Sequence, residues 1–424
     1  MNENVSRDNY EEETVETIEY EEVDSNEVEN IDDSYSNNSD NNNNSDNEFK
    51  SKILKMFGIV IVGLIIFLII GFIISLITKK NYTYASVEDV MEKAAIEYFK
   101  DNKDKLPKNS TEIVEINASV LATNKYMKTL DKYISKEECT GKVTVEKADD
   151  NSYIYTPYLT CNDGGYTTTK LYEKIKDSKN VVTEGFGVYY MNNEYVYRGT
   201  TVDNYVRFSD SEFLWRIVKV TANNEVVLIA NNKSKNKFPF DERFNNVKQD
   251  TTGINLYKNS KISTMLSKMY DNSINDDEEL RLDPEPEILT KSDRKKTVEF
   301  NSCVGNRSIN DTSKNGASEC SVVETTKISL LPAYDYLNAS LDANCTSITK
   351  EDCQNYNYLA TRETHFLANG PSEDSSKVYA MTGTGYIKTR TAYKEAFVKV
   401  VIHVGENAML EKGTGTKTDP YIIR

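Results

Sequence analysis

Histidine is almost missing from this chain: His365 and His403 are the only two in 424 residues. A Ser-His-Asp or Cys-His arrangement needs one, so nucleophilic catalysis of that kind has few places to form. His403 alternates within the apolar run Phe397–Val404 and reads as structural. His365 lies in the polar segment Thr361-Arg-Glu-Thr-His-Phe, compatible with exposure, with no acid partner fixed to it. No Cys-x-x-Cys occurs, which removes the usual redox and zinc signatures. Neither Gly383-Thr-Gly nor Gly413-Thr-Gly-Thr is followed by Lys-Ser/Thr, so these are tight turns and not phosphate loops. Basic residues are nowhere concentrated enough for a nucleic-acid surface. No metal, cofactor or catalytic residue is expected. Tryptophan occurs once, and Trp215, beside Ile217 and Val218, reads as a core anchor.

The longest apolar run is Met56–Thr78, 23 residues without a charge. As a helix it would reach about 34 Å, enough to cross a hydrocarbon core of about 30 Å. Lys50, Lys52 and Lys55 precede it, and Lys79 and Lys80 follow. It begins too late and runs too long for a cleaved signal peptide, so a single transmembrane helix is the expectation.

Four regions result. Residues 1–48 hold 17 acidic side chains against Arg7 alone, so this tail carries the whole net charge of −16. It has no leucine, phenylalanine or tryptophan and cannot offset the entropy of ordering. It reads as a disordered spacer, or else an interaction tail using Tyr10, Tyr20 and Tyr35. Residues 49–82 are the membrane region with its lysine flanks. Residues 83–183 form a small α+β juxtamembrane module, and residues 184–424 a β-rich surface domain.

In the third region Val87, Val90, Met91, Ala94, Ala95 and Tyr98 make one helical stripe, with a capping-box pattern at Ser86-Val87-Glu88-Asp89. Thr111–Met127 reads as a second helix, or a helix and a turn. Strands from Cys139 and to Cys161 read as a hairpin turning over Lys147–Asn151, and a Cys139–Cys161 disulfide would staple its open ends. All six cysteines, the others being Cys303, Cys320, Cys345 and Cys353, follow the apolar run, which fits disulfides in an oxidising compartment. The expected topology is therefore N-terminus cytoplasmic, C-terminal regions extracellular. Membrane helix, amphipathic helix and cysteine-closed sheet together resemble bacterial pilin-like heads, although no Glu stands at the fifth position after Gly58 or its neighbours.

From Gly185 onward, closely spaced strands suggest an antiparallel meander: Val188–Met191, Tyr195–Arg198, Tyr205–Phe208, Leu214–Val220 and Glu225–Ala230. Ile254–Tyr270 reads as a helix, Asp276–Glu287 as a solvated acidic loop, and Ile328–Leu337 as a strand turning into a helix at Pro332. The run Tyr205-Val-Arg-Phe, Leu214-Trp215-Arg216-Ile-Val, Ile328-Ser-Leu-Leu with Asp335-Tyr336, Val398-Lys399-Val-Val, Gly413-Thr-Gly415-Thr and Asp419-Pro420-Tyr421 resembles a bacterial surface-protein domain of unknown function. That family has Arg-Pro where Lys399-Val400 stands. The resemblance implies a C-type-lectin-like α+β fold, related in architecture to formylglycine-generating enzymes.

The function expected is a membrane-anchored, non-catalytic surface protein with a binding or structural ectodomain. Its partners would be the membrane and an envelope polymer or another surface protein. The alternatives are an exported enzyme using His365, Asp335 or the acidic loop in a cleft, and a pilus-linked minor subunit.

Overall fold

Apolar side chains three and four residues apart wind Tyr84–Asp101 into α1 and bury Val87, Met91, Ala94, Ala95, Tyr98 and Phe99 on one side. The computed structural model describes residues 82–148, 151–162, 165–271, 288–342, 345 and 357–424. Residues 1–48, the run Met56–Thr78 and the acidic loop Asp276–Glu287 lie outside the described residues. The helix starts earlier than the capping-box pattern suggested. Thr83 is its N-cap and accepts the Ser86 N–H at 3.2 Å. Asp89, three residues after Ser86, pairs with Arg424 instead of capping, and Glu88 is fully buried.

A four-stranded antiparallel sheet packs against α1, in the order β1 (Ile113–Asn117), β2 (Cys139–Lys147), β3 (Tyr153–Cys161), β4 (Tyr166–Thr167). The helix expected over Thr111–Met127 is mostly not one. Ile113–Asn117 is rich in β-branched residues (Ile113, Val114, Ile116) and pairs with β2, leaving only Ala118–Thr123 to form α2. The hairpin is in the register that sets Cys139 directly opposite Cys161, and the two are bonded. Gly141 of β2 is where α1 comes closest, since a Cβ there would sit 2.6 Å from Met91 Cε.

β5 (Thr169–Lys170) and α3 (Leu171–Lys176) already belong to the larger core, to which Leu171 and Ile175 contribute. There follow β6 (Gly187–Met191), β7 (Glu194–Arg198), β8 (Tyr205–Phe208), β9 (Trp215–Val220), β10 (Val226–Ala230), α4 (Lys261–Tyr270), α5 (Lys291–Arg294) and β11 (Thr297–Val298). Next come β12 (Phe300–Cys303), β13 (Val323–Thr326), β14 (Ser329–Leu330), α6 (Ala333–Asn338), β15 (His365–Phe366), β16 (Lys377–Met381) and β17 (Ile387–Thr391). The chain closes with β18 (Val400–Val404), β19 (Met409–Lys412) and β20 (Tyr421–Ile423). The main sheet runs β11-β18-β10-β9-β8-β20-β19-β5, with β14 on β18 and the β6–β7 hairpin on β9. It is not a simple meander: β7 and β8 both pair with β9, at opposite ends. The helix expected from Ile254 begins only at Lys261, behind the Ser260 cap. Pro332 does end a strand and cap a helix, α6.

Two expectations about fold class are corrected. Among the described residues there are twenty strands and six short α-helices, so the fold is β-rich and not an even α+β mixture. No helix among them is long and apolar enough to cross a membrane; α1, the longest at 18 residues, carries Glu88, Asp89, Glu92, Lys93, Glu97 and Lys100.

Arg424 joins the two cores. Its Nη1 is 2.9 Å from Asp89 Oδ1, and Nη2 bonds Glu88, whose other oxygen accepts from Tyr166 Oη at 3.0 Å. Burial raises the Glu88 pKa, against the opposing pull of Arg424. Because Cys139 and Cys161 are 22 residues apart, replacing both by serine should lower stability by about 3 kcal/mol, read in denaturant unfolding.

Candidate functional site

Strand β9 would place Arg216 and Lys219 on opposite faces if it were regular. It is not. Ile229 pairs with Arg216 and Leu228 with Ile217, but Val227 pairs with Lys219, so Val218 is an extra residue and the strand bulges. Val227 and Ile229 share a face of β10, and the bulge therefore turns both cations to that face. On β18, Val401 pairs with Ile229 and His403 with Val227, which brings Lys399, Val401 and His403 to the same side.

At the Lys219 end lies a cavity of about 480 Å³, lined among others by Glu194, Glu225, Glu299, Phe300, Tyr334 and Asp335. Lys219 is 4 % exposed. Its ammonium lies 2.9 Å from Asp335 Oδ1 and 3.0 Å from both Glu194 Oε2 and Tyr334 Oη. Burial opposes that charge, but Asp335, Tyr334 and Glu194 outweigh it and raise the pKa, so the amine stays cationic and is no nucleophile. Burial is also what raises the Tyr334 and Glu194 pKa values. His403 Nδ1 is 2.7 Å from Glu225 Oε2, and its ring stacks on Phe300 with centroids 3.7 Å apart. Burial lowers the His403 pKa, against the hydrogen bond and charge of Glu225; with Glu225 as acceptor, the ring carries its proton on Nδ1.

At the other end Arg216 is held by Asn204 Oδ1 at 2.6 Å and Tyr205 Oη at 3.0 Å, with its guanidinium 3.9 Å from the Tyr205 ring centre. Lys399 is buried nearby and makes no hydrogen bond or ion pair among the described residues. Desolvation, then the Arg216 charge, pushes its amine down to about 7. His365 is also buried, contrary to the exposure its polar neighbours suggested; burial and then Lys399 hold it down at about 3.

The other residues singled out from sequence are structural. Trp215 is fully buried beside Phe213. Tyr336 is buried with its hydroxyl on the Gly385 carbonyl at 2.8 Å. Gly413 and Gly415 have positive φ, and a Cβ on Gly413 would lie 2.0 Å from the Pro420 oxygen. The Thr414 and Gly415 N–H groups both bond the Asp419 carbonyl at 3.0 Å, a turn that delivers Tyr421 to its parallel pairing with Val206. Cys303 is bonded to Cys320, Cys345 is disulfide-bonded, and Cys353 lies outside the described residues. Among the described residues the one cluster with metal-ligand spacing is Glu137, Cys139 and Cys161, whose sulfurs are spent in a disulfide.

Of the described residues proposed for a cleft, Asp335 lines it and His365 does not; the acidic loop lies outside the described residues. Lys219, Glu194, Glu225 and Tyr334 were missed. The available signal was a lysine inside Trp215–Val220, a strand buried at every position. No protein-family model, curated protein or solved structure matches the chain, so the pilin-like and lectin-like resemblances rest on sequence alone.

Two outcomes are expected. Asp335→Ala strands a buried ammonium and should cost about 3–5 kcal/mol, while Lys219→Met with Asp335→Leu should cost less than that single change. Lys399 titrates near 7 when folded and near 10.4 when unfolded, so the unfolded chain binds the extra proton between those values. Its contribution is therefore lost as pH falls from about 10 toward 7. Arg216 on β9 is the charged group that acts on it, and Lys399 in turn acts on His365 of β15. In denaturant unfolding at pH 7 and 9, Lys399→Met should be more stable than the parent at pH 7, with a flatter rise to pH 9.

Proposed function

We propose that the chain is an exported, non-catalytic binding module of the cell envelope, located at a membrane, with the Lys219–His403 cleft as its ligand site. The cleft carries the reading: an open, polar cavity whose charged groups are tied to one another and not poised to react. Lys219 has no free lone pair, and His403, neutral, is braced by Glu225 and Phe300. Such a wall is preorganised for recognition. The disulfides support an oxidising compartment. The apolar run Met56–Thr78 supports the membrane as a partner, as sequence only.

An exported enzyme is the second reading, favoured by the convergence of Glu194, Lys219, Glu225, Asp335 and His403 in one cavity. Incubation with isolated envelope polymer separates the two. The binding reading expects the chain to sediment with the polymer, less so for Glu225→Ala, while the polymer's mass profile stays unchanged. Release of soluble fragments that Glu225→Ala abolishes would establish the enzyme instead. For localisation, a membrane-impermeant thiol reagent on intact cells should label the protein only after reduction; labelling that needs lysis but no reduction would reverse it.

A further inference from the structure

Charges lining the cleft do not balance. Four carboxylates, Glu194, Glu225, Glu299 and Asp335, face one ammonium. A primary ammonium has three hydrogens, and Lys219 places them on Asp335, Glu194 and the Tyr334 hydroxyl. Lys219, the one cation among the described residues lining the cavity, thus has nothing left to offer a ligand. Glu225 accepts from Nδ1 of His403, and Nε2 of that ring, an acceptor in this tautomer, makes no bond among the described residues. Glu299 meets Lys327 only at 4.0 Å, with both side chains more than half exposed. Such a pair is worth little and opens readily. Neutral groups on the rim are engaged as well: Thr325 donates to Asn301 at 2.9 Å, and Ser302 bonds Ser329 at 2.6 Å.

An anion entering here would meet more carboxylates than cations, with Lys219 committed to its three partners and Lys327 at the rim already beside Glu299. A neutral polyol could donate its hydroxyls to the carboxylates but would bring no charge to offset theirs. A cationic donor supplies both hydrogen bonds and the missing positive charge. Resting on the assignment of the cleft as the binding site, we propose that its ligand presents a primary alkylammonium group to Glu225 and Glu299, such as the amine of an amino sugar or of a lysine side chain.

The test is calorimetric titration of the full-length chain with matched probes. Tetra-glucosamine is compared with tetra-N-acetylglucosamine, and a lysine tripeptide with its Nζ-acetylated form. Each acetylated twin keeps the shape and loses the charge. The amine of at least one pair should bind about 10-fold or more tightly than its twin, which corresponds to about 1.4 kcal/mol, and should weaken with salt. Whichever amine binds tighter names the source. Glu299→Gln, at an exposed site where folding is not at risk, and Glu225→Gln should each weaken the amine several-fold and leave the acetylated twin unaffected. Equal affinity of both twins, or no effect of either substitution, overturns the proposal. If no probe binds, the hydrogen exchange of Phe300–Cys303 is measured with fragments of envelope polymer. Protection there overturns the ammonium inference while keeping the cleft; no protection overturns both.

Discussion

A lysine ammonium without water must be surrounded by acceptors, and that requirement organises the larger core. Lys219 draws Glu194 from β7, Asp335 and Tyr334 from α6 and its N-terminal turn, and so ties the sheet to the layer that covers it. Removing water from an ion costs several kcal/mol, repaid only when every partner arrives in place. The β9 bulge is what makes the arrangement reachable. Without the extra residue at Val218, Lys219 would face the other side of the sheet, away from Asp335. Satisfying that one charge takes two carboxylates, Asp335 and Glu194, while Glu225 and Glu299, which line the same cleft, belong to His403 and Lys327.

Arg216 and Lys399 show the same sheet face handling cations differently. Arg216 spreads its charge over Asn204, Tyr205 and the Val202 carbonyl, all neutral, and stacks on an aromatic ring. A guanidinium can do this because its donors fan out in a plane. Lys399 has no such fan; burial first, then the field of Arg216, bring the pKa of its ammonium down to about 7.

Local features were legible in the sequence, and distant ones were not. The stripe of α1, the Cys139–Cys161 hairpin, the Pro332 strand-to-helix turn and the burial of Trp215 each depend on residues within about two dozen positions. The strand Ile113–Asn117 was misread because its short apolar spacing suits either period, and pairing with β2 decides. The cleft was invisible for a stronger reason. Lys219 and Asp335 are 116 residues apart, and a bulge, which leaves no mark in composition, sets which face each lysine takes. His365 looked polar by its neighbours and is buried by the sheet that Phe397 joins.

The pairing of Arg424 with the first turns of α1 has a mechanical side. Chain tension entering at Tyr82 meets, within two turns, an ion pair leading straight into β19 and β20 of the large sheet. That route runs in parallel with the longer one through α1, the hairpin and β5. Load is shared between a buried charge pair and a covalently stapled sheet, so neither core has to unfold for the other to hold.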